Sequence, residues 1–420
     1  MGLRIRTLAS VCVVVGVTAP AALASPAADR VAAVAAEEPR AVYVSTSGVP
    51  HWDIADVKSI RAGRGWHTGD PNSITSSWRS SLNTVMAQIA SENPDAVFHT
   101  GDQVQGRWGV DVDHTGIFGH VGTEAEKKDA VLAAGNAYYG EMKRFWSAHG
   151  FTHGTNLFPA MGDHEIGDMG PGVDHVKVLP PSDFRYRAFN DWKYAWARNY
   201  TASGTKYASR PVGAQQESTA YSVRLGPLLL ITVNPFWKWD DGIHARIGGA
   251  QLDWLDQQIA TARANGVDHV LVQSEIPVLD PNRVSGSSEL LLEGRRDSAF
   301  WKTLVRDQVD VLLAAEFHDM TTYSNSATTP VQVVHGANMG SARANYLVIR
   351  VYADRLELEL KQMSGTVTDT NRLWQTSTQR PPRGVRMNTG ATTVGTMTID
   401  KTTNPPTLAN RTGFLREGIE

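Results

Sequence analysis

Hydrophobic and polar positions along the chain follow two alternating periods. Short apolar runs bounded by Gly, Pro, Asn or Asp predict strands, and stretches with apolar residues three and four apart predict amphipathic helices. The predicted strands cover residues 41–47, 96–102, 157–165, 220–225, 228–233, 269–273, 309–314, 331–334, 346–352 and 356–360. The predicted helices cover residues 74–90, 124–149, 184–200, 249–265 and 298–308. Strands and helices that alternate in this way indicate an α/β fold.

The order of these elements divides the chain into parts. Strand–helix alternation in the first half, followed by a more strand-rich half, favours a two-sheet β-sandwich flanked by helices over residues 40–362. Residues 25–39 are rich in Ala, Pro and Glu, and we expect a flexible arm there. Residues 363–420 are rich in Thr, Pro, Asn and Arg, and we expect a C-terminal extension that is partly irregular and forms a loose tail.

The first 24 residues have the pattern of a signal peptide. Arg4 and Arg6 precede a mostly apolar run over residues 8–22, and a small-x-small pattern marks a cleavage site near Ala24. The run is too short to span a bilayer, and no later run is long enough to do so. We therefore expect a secreted or otherwise extracytoplasmic protein without a transmembrane span. The one cysteine, Cys12, lies in the segment that cleavage would remove.

Composition narrows the classes of function. Hydrophobic residues make up 41% of the 420 residues, which is enough for a packed core. The formal net charge of -3 argues against a nucleic-acid-binding protein. The twelve tryptophans could line a groove for a polymer, although ordinary core and surface packing is the simpler explanation. No Gly-x-Ser-x-Gly motif precedes a predicted helix, which argues against a serine hydrolase.

Four predicted strands end in polar residues that could bind a metal. The four motifs are Gly101-Asp102, Gly162-Asp163-His164-Glu165, Ser274-Glu275 and Glu316-Phe317-His318. Because parallel strands of α/β folds carry their ligand sites at their carboxyl ends, we expect these side chains to converge on one edge. Carboxylates gathered in one pocket repel each other without a cation. The motifs therefore predict a bound metal ion.

The order of these motifs resembles that of the calcineurin-like metallophosphoesterase family. That family shows Asp-x-His, Gly-Asp, Gly-Asn-His-Asp/Glu, a lone His and Gly-His-x-His along its chains. The resemblance covers residues 40–360 and implies a four-layer β-sandwich that holds two metals and cleaves phosphate esters. On this resemblance Asp102 bridges the metals, and Asp163 and His318 bind them. His164 is then the catalytic residue, which protonates the leaving oxygen.

Three positions depart from the family pattern. Asp163 stands where the family has Asn, and Glu275 and Glu316 stand where it has His. The first motif is absent in its usual form, and His51 and Asp53 are the remaining candidates for its ligands. Oxygen ligands favour hard ions such as Mg, Mn and Ca over Zn. We expect one or two divalent ions, from among Mn, Mg, Ca, Fe and Zn, with the hard ions favoured.

These patterns together predict an exported metal-dependent phosphoesterase whose partner is a phosphate-ester substrate. Arg107 closely follows Asp102 and could neutralise the phosphate, although a surface salt bridge would explain it equally well. His335 ends a predicted strand and is a second candidate for substrate binding. The departures motivate an alternative, a degenerate protein of the same fold that binds a cell-surface polymer or a metal without catalysis.

Overall fold

A computed structural model gives the fold of the part of the chain that lies in residues 37–48, 76–104, 106, 108, 122–169, 177–201, 207, 209–283, 289–324, 326–372 and 382–418. The predicted signal peptide, His51, Asp53 and Arg107 lie outside these described residues. Contacts separate Met1–Glu38 from Pro39–Glu420, and every element below belongs to the second unit.

The described residues form seventeen strands and six α-helices. The strands are β1 (Ala41–Thr46), β2 (Ala96–His99), β3 (Leu157–Pro159), β4 (Val178–Leu179), β5 (Tyr221–Leu225), β6 (Leu228–Thr232), β7 (Phe236–Trp239), β8 (Gly242–Ala245), β9 (His269–Gln273), β10 (Val311–Ala314), β11 (Thr321–Tyr323), β12 (Val331–Val334), β13 (Arg343–Val351), β14 (Arg355–Arg372), β15 (Pro382–Met387), β16 (Thr392–Asp400) and β17 (Thr407–Gly413). The helices are α1 (Ser76–Ser91), α2 (Glu124–Ser147), α3 (Phe184–Arg187), α4 (Phe189–Tyr200), α5 (Gly249–Ala264) and α6 (Ala299–Arg306).

The larger sheet is mixed and has eight strands within the described ranges. Its order is β17-β16-β14-β13-β1-β2-β3, with β15 paired to β14. β1, β2 and β3 run parallel to one another, whereas β13 lies antiparallel to β1. Every residue of β2 and β3 is buried, which is typical of parallel strands that are covered on both faces.

The second sheet has six strands in the order β11-β12-β10-β9-β6-β5. Its four inner strands, β12, β10, β9 and β6, are parallel, and the outer strands β11 and β5 are antiparallel to their neighbours. The predicted hairpin is confirmed, since β5 and β6 pair across a turn at Gly226, whose φ is 55°. A third, small antiparallel sheet has the order β4-β8-β7.

Hydrogen bonds cross directly between the two large sheets. The hydroxyl of Tyr43 on β1 donates to the carbonyl of Leu225 on β5 over 2.6 Å. The side-chain amide of Gln273 on β9 donates to the carbonyl of Phe158 on β3 over 3.1 Å. Apolar residues of both sheets belong to one buried cluster. The prediction of an α/β fold with two packed sheets and flanking helices is confirmed.

The helices bury apolar faces against this core. On α1, Leu82, Val85 and Ile89 recur at helical spacing and have no exposed surface. α2 begins with a capping box, in which the side chain of Thr123 accepts from the backbone of Glu126 and the Glu126 carboxylate accepts in return. No helix in the described ranges is both long and apolar enough to cross a bilayer.

Two predicted elements are shorter or more broken than the sequence pattern indicated. The helix expected over 184–200 is two helices, α3 and α4, which meet at Ala188. The strand expected over 157–165 ends at Pro159, and a short 3-10 helix, His164–Ile166, follows it. Because the strand ends early, Asp163 and His164 lie on a turn beyond it. Their side chains therefore need not alternate between the two faces of the sheet.

The prediction that residues 363–420 form a loose tail is wrong. β14 continues to Arg372, and β15 and β16 pair with it antiparallel, while β17 extends the sheet from β16. Threonine is a good strand former on a half-exposed sheet, and buried apolar residues such as Met397 and Ile399 alternate with it on β16. The polar composition that suggested an irregular tail is the solvent face of these strands.

Candidate metal centre

Two adjacent strands from each large sheet end at the same place. Asp102 follows β2 and Asp163 follows β3, which are parallel neighbours in the larger sheet. Glu275 follows β9 and Glu316 follows β10, which are parallel neighbours in the second sheet. The two packed sheets therefore bring four strand ends, each with a carboxylate, to one edge.

The carboxylates of Asp102, Asp163, Glu275 and Glu316 form a compact group. One oxygen from each lies within 4.8 Å of the others, which suits ligands that share an ion. The exposed fraction is 2% for Asp102 and Glu316, and 0% for the other two side chains. We call these four residues the carboxylate cluster. A second group in reach of one ion joins His164 to Asp102 and Asp163.

Backbone strain occurs at the ends of two of the strands. Asp102 and Glu316 have φ of 59° and 65°, in the left-handed region. That conformation costs a residue with a side chain on the order of 1–2 kcal/mol. Such strain persists where the surrounding structure fixes a side chain for a task. Here it turns carboxylates from two different sheets toward each other.

Two glycines make room for the cluster. At Gly101, whose φ is 107°, an added Cβ would lie 2.5 Å from Cγ of Glu275. At Gly162 an added Cβ would collide with the Asp102 carboxylate. The Gly-Asp pairs of the two motifs are therefore required by close approach, because any larger residue would push the acidic side chains apart.

Glu165 holds the first two motifs together. The backbone N–H groups of Gly162 and Asp102 donate to its Oε2 over 2.6 and 2.9 Å, and that of Gln103 donates to its Oε1 over 2.8 Å. The side chain has no exposed surface. Glu165 therefore links the turn after β2 to the turn after β3 and fixes the spacing of Asp102 and Asp163.

Burial dominates the electrostatics of the cluster. It raises the pKa of Asp163 to about 7, with the charge of Asp168 as the next cause. It also raises the pKa of Asp102 and of Glu275 well above their ordinary values, and in each case neighbouring carboxylates add to the effect. These carboxylates are therefore costly to ionise together unless a cation offsets their charge.

The surroundings of Glu275 fit a metal ion. Among the described residues no hydrogen-bond donor satisfies either oxygen of its buried carboxylate. A buried polar group without a partner costs free energy, and a buried charge costs more. By contrast, Oε1 of Glu316 accepts from the N–H of Leu290 over 3.0 Å, and Oδ2 of Asp163 accepts from Met169 over 3.0 Å. The donor set is rich in carboxylate oxygen, which suits hard divalent ions.

Of the two histidines in the predicted metal motifs, His164 belongs to a group of potential ligands within the described ranges and His318 does not. His164 is 4% exposed, its Nε2 lies 4.0 Å from Oδ1 of Asp163, and its N–H donates to Oδ1 of Asp102 over 3.4 Å. His318 follows the cluster in sequence but belongs to neither group of potential ligands among the described residues. Its predicted role as a metal ligand stays a prediction, as do those of His51 and Asp53.

His335 lies away from solvent. Its ring has no exposed surface, and its Nε2 is hydrogen-bonded to Oγ of Ser45 over 2.8 Å. Burial lowers the pKa of His335 to about 3. A ring that is enclosed in this way cannot contact a substrate in this conformation, so the structure does not support its predicted part in substrate binding. It instead joins the end of β12 to β1.

Comparisons with known proteins return matches among solved structures alone. The sequence matches no protein-family profile and no curated protein. The chain is similar to a dimetal phosphatase from Danio rerio, with 14% identity and a TM-score of 0.42 over 84% of this chain and 99% of that chain. It is similar to a purple acid phosphatase from yellow lupin seeds, with 10% identity and a TM-score of 0.44 over 76% of this chain and 51% of that chain.

A third similar structure is GAP50, the anchor in the inner membrane complex of Plasmodium, with 10% identity and a TM-score of 0.40 over 78% of this chain and 85% of that chain. At such identities and TM-scores these matches carry no argument about chemistry, which rests on the chain's own side chains.

Proposed function

We propose that this protein is a divalent-metal-dependent hydrolase of phosphate esters. The observation that carries the proposal is the carboxylate cluster, in which four buried acidic side chains from four strand ends lie within 4.8 Å of one another. Such a cluster is expected to hold a cation, and the order of its motifs resembles that of metallophosphoesterases. Mg, Mn or Ca is the expected ion because the nearest ligands are oxygens.

The four carboxylates would hold the ion, with Asp102 and Asp163 in reach of a second position beside His164. A divalent ion held there would supply Lewis-acid chemistry, by which it would polarise a phosphoryl oxygen and lower the pKa of water beside it. Glu165 keeps the first two ligands in place through its three accepted hydrogen bonds. Burial of the cluster excludes bulk water and so strengthens every charge interaction at the site.

His164 is the proposed proton donor to the leaving oxygen. It lies beside Asp102 and Asp163 and retains a small exposed surface, so it can face a substrate from the edge of the cluster. A positioned histidine can contribute about 10²–10⁴-fold to such a step. The competing role, a ligand to a second ion, predicts loss of metal rather than loss of proton transfer when the ring is replaced.

The direct test is restoration of activity by metal. The purified protein is stripped with a chelator, supplied with Mg, Mn, Ca or Zn, and assayed with an aryl phosphate monoester and diester. We expect hydrolysis that requires an ion and falls about 100-fold in Glu275→Gln, because loss of a residue that only orients a metal ligand already costs about 10–100-fold. Asp297→Asn, at an exposed carboxylate, is the control and should retain full activity. A folded protein that is inactive with every ion contradicts the proposal.

A second candidate function is metal binding without catalysis. The observation that favours it is that the larger ligand group contains carboxylates alone, where the resembled family has histidines. This candidate predicts tight metal binding and no hydrolysis of either ester. Elemental analysis of the purified protein together with the assay above distinguishes the two, since only the hydrolase couples bound metal to product.

Export is a further part of the proposal. It is supported by Arg4 and Arg6, the apolar run that follows them, and the small residues before Ser25. Cleavage near Ala24 predicts a mature form that begins at or near Ser25. N-terminal sequencing of the protein from a culture medium or extracytoplasmic fraction tests this, and an intact Met1 on the accumulated protein would contradict it.

A further inference from the structure

A surface cavity of about 490 Å³ lies beside α3, α4 and β7. Residues of all three elements line it, and none of the carboxylate cluster does. The lining residues that matter below are two lysines and two aromatic residues, namely Lys193, Lys238, Tyr186 and Trp239. Neither lysine has a part in the proposed hydrolysis.

Lys193 is a buried cation without an acidic partner. Its exposed fraction is 7%, and none of the ion pairs among the described residues includes it. Its ammonium donates to the backbone carbonyl of Gln215 and lies 5.1 Å from the centre of the Phe189 ring. Burial lowers the pKa of Lys193 to about 8. An ammonium in this position would gain from an anion in the cavity, since a buried charge is otherwise uncompensated.

Lys238 presents a second ammonium to the same cavity. Its Nζ donates to the carbonyl of Tyr186 over 2.7 Å and lies 4.0 Å from the centre of that ring, again without an ion pair among the described residues. Burial, and next the charge of Lys128, lower the pKa of Lys238. The charge of Asp191 raises this pKa in part, but no ion pair among the described residues includes the Lys238 ammonium.

Gln215 forms hydrogen bonds with both lysines. Its side chain accepts from the N–H of Lys238 over 3.1 Å and donates to the carbonyl of Lys238 over 2.8 Å. Its own backbone carbonyl accepts from Lys193. Gln215 therefore contacts the ammonium of Lys193 and the backbone of Lys238, and so joins the two parts of the chain that carry the lysines.

Rigid aromatic rings form the walls. Trp239 stacks on Trp237 with ring centres 5.3 Å apart and planes 24° apart, and Arg246 lies 5.0 Å from the Trp239 ring. Tyr186 lies under Lys238. The carboxylate in the lining belongs to Asp240, which is exposed. Two cations beside flat aromatic surfaces suit an anion that carries a planar ring.

We propose that this cavity binds a small organic phosphate with a planar ring. Lys193 and Lys238 contact the phosphate, and Trp239 and Tyr186, which line the cavity, lie beside the ring. A doubly charged phosphate matches two ammonium groups better than a carboxylate does. The proposal is independent of the metal centre, because the two sites share no residue.

The test uses phenylphosphonate, whose carbon–phosphorus bond an esterase does not cleave, with methylphosphonate and benzyl alcohol as partial ligands. Calorimetric titration of the metal-loaded protein should give binding of phenylphosphonate that is tighter than that of either partial ligand. Lys193→Met and Lys238→Met should each weaken it about tenfold, the size expected for a lost charge-assisted contact. Lys302→Met removes an exposed lysine on α6 and should change nothing.

Thermal unfolding of each variant identifies any loss of fold. Lys238 is half-buried and provides the test if the Lys193 variant folds poorly. Glu275→Gln should retain the lysine-dependent binding, so a failure of hydrolysis and a failure of this proposal remain separate results. Absence of phenylphosphonate binding at 10 mM would overturn the proposal, and so would binding that is equal in the wild type and in both lysine variants.

Discussion

Glu165 and Glu275 are both buried glutamates at strand ends, yet their surroundings differ. Glu165 accepts three backbone hydrogen bonds, which offset part of the cost of its burial, although burial still raises its pKa. Glu275 accepts none from the described residues and faces other carboxylates. The first is therefore a positioning residue that stabilises the fold, and the second requires a cation to be stable in its charged form.

This difference gives a prediction for Glu165→Gln. The new amide NH₂ cannot accept a hydrogen bond, so at least one of the N–H groups of Gly162, Asp102 and Gln103 loses its partner. We expect a loss of about 1–3 kcal/mol in the free energy of unfolding, measured by denaturant titration. Glu417→Gln breaks a surface ion pair with Arg283 and should cost less than about 1 kcal/mol. Equal effects of the two changes would count against the assigned role of Glu165.

The individual residues of the site were only partly predictable from the sequence. Gly101-Asp102 and Gly162-Asp163 could be recognised in the sequence, because the backbone at each glycine lies too close to an acidic side chain for a larger residue to fit. The part played by Glu165 depends on N–H groups of a turn more than 60 residues away in the chain, which no local pattern reports. The enclosed position of His335 depends in the same way on Ser45, 290 residues away.

At the scale of elements, strand ends are the features that create the site. β2 with β3 and β9 with β10 were predicted from their apolar runs, and their parallel pairing explains why four distant motifs meet. The C-terminal strands were not predicted, since a sheet with one solvent face alternates polar and apolar residues and its threonines resemble loop composition. Burial of Met397 and Ile399 depends on β14, which lies far from them in sequence.

A buried ion pair ties these C-terminal strands to the second sheet. Lys401, directly after β16, donates to Oδ1 of Asp310 over 2.7 Å, and Asp310 also accepts from Val270 over 2.7 Å. Asp310 has no exposed surface. Lys401→Met should therefore destabilise the protein by about 3–5 kcal/mol, because it leaves a buried carboxylate without its cation.

Denaturant titration measures this loss, with Lys302→Met as the surface control. The double variant Lys401→Met with Asp310→Asn removes both charges and should recover part of the stability. A loss in Lys401→Met that is no greater than that in Lys302→Met would show that the pair does not anchor the strands.

At the scale of the whole molecule, buried histidines set a limit on stability in acid. Burial lowers the pKa of His99 and of His335 to about 3 each, whereas an unfolded histidine titrates at about 6.5. The unfolded chain therefore binds more protons below pH 6.5. The stability that these neutral rings provide is full above that pH and is lost as pH falls toward 3, by up to about 1.4 kcal/mol per pH unit for each ring.

His99→Phe tests this pH dependence. Neither ring nitrogen of His99 has a partner among the described residues, and the ring packs edge-on against Trp146 with centres 5.8 Å apart. Phenylalanine keeps that contact and removes the titrating group. We expect the free energy of unfolding to fall less steeply between pH 6.5 and pH 4 in the variant, by about one proton. An unchanged slope would exclude His99 as a cause of acid instability.

The measurement that tests the central claim most directly is a titration of metal into chelator-stripped protein, followed by thermal unfolding and calorimetry, for the wild type and Glu275→Gln. Without metal, the variant should be at least as stable as the wild type, because one of four mutually repelling carboxylates is gone. Added Mn or Mg should raise the unfolding temperature of the wild type and do so far less in the variant. Absence of metal binding by the wild type, or equal stabilisation of both proteins, would contradict a shared cation at the carboxylate cluster.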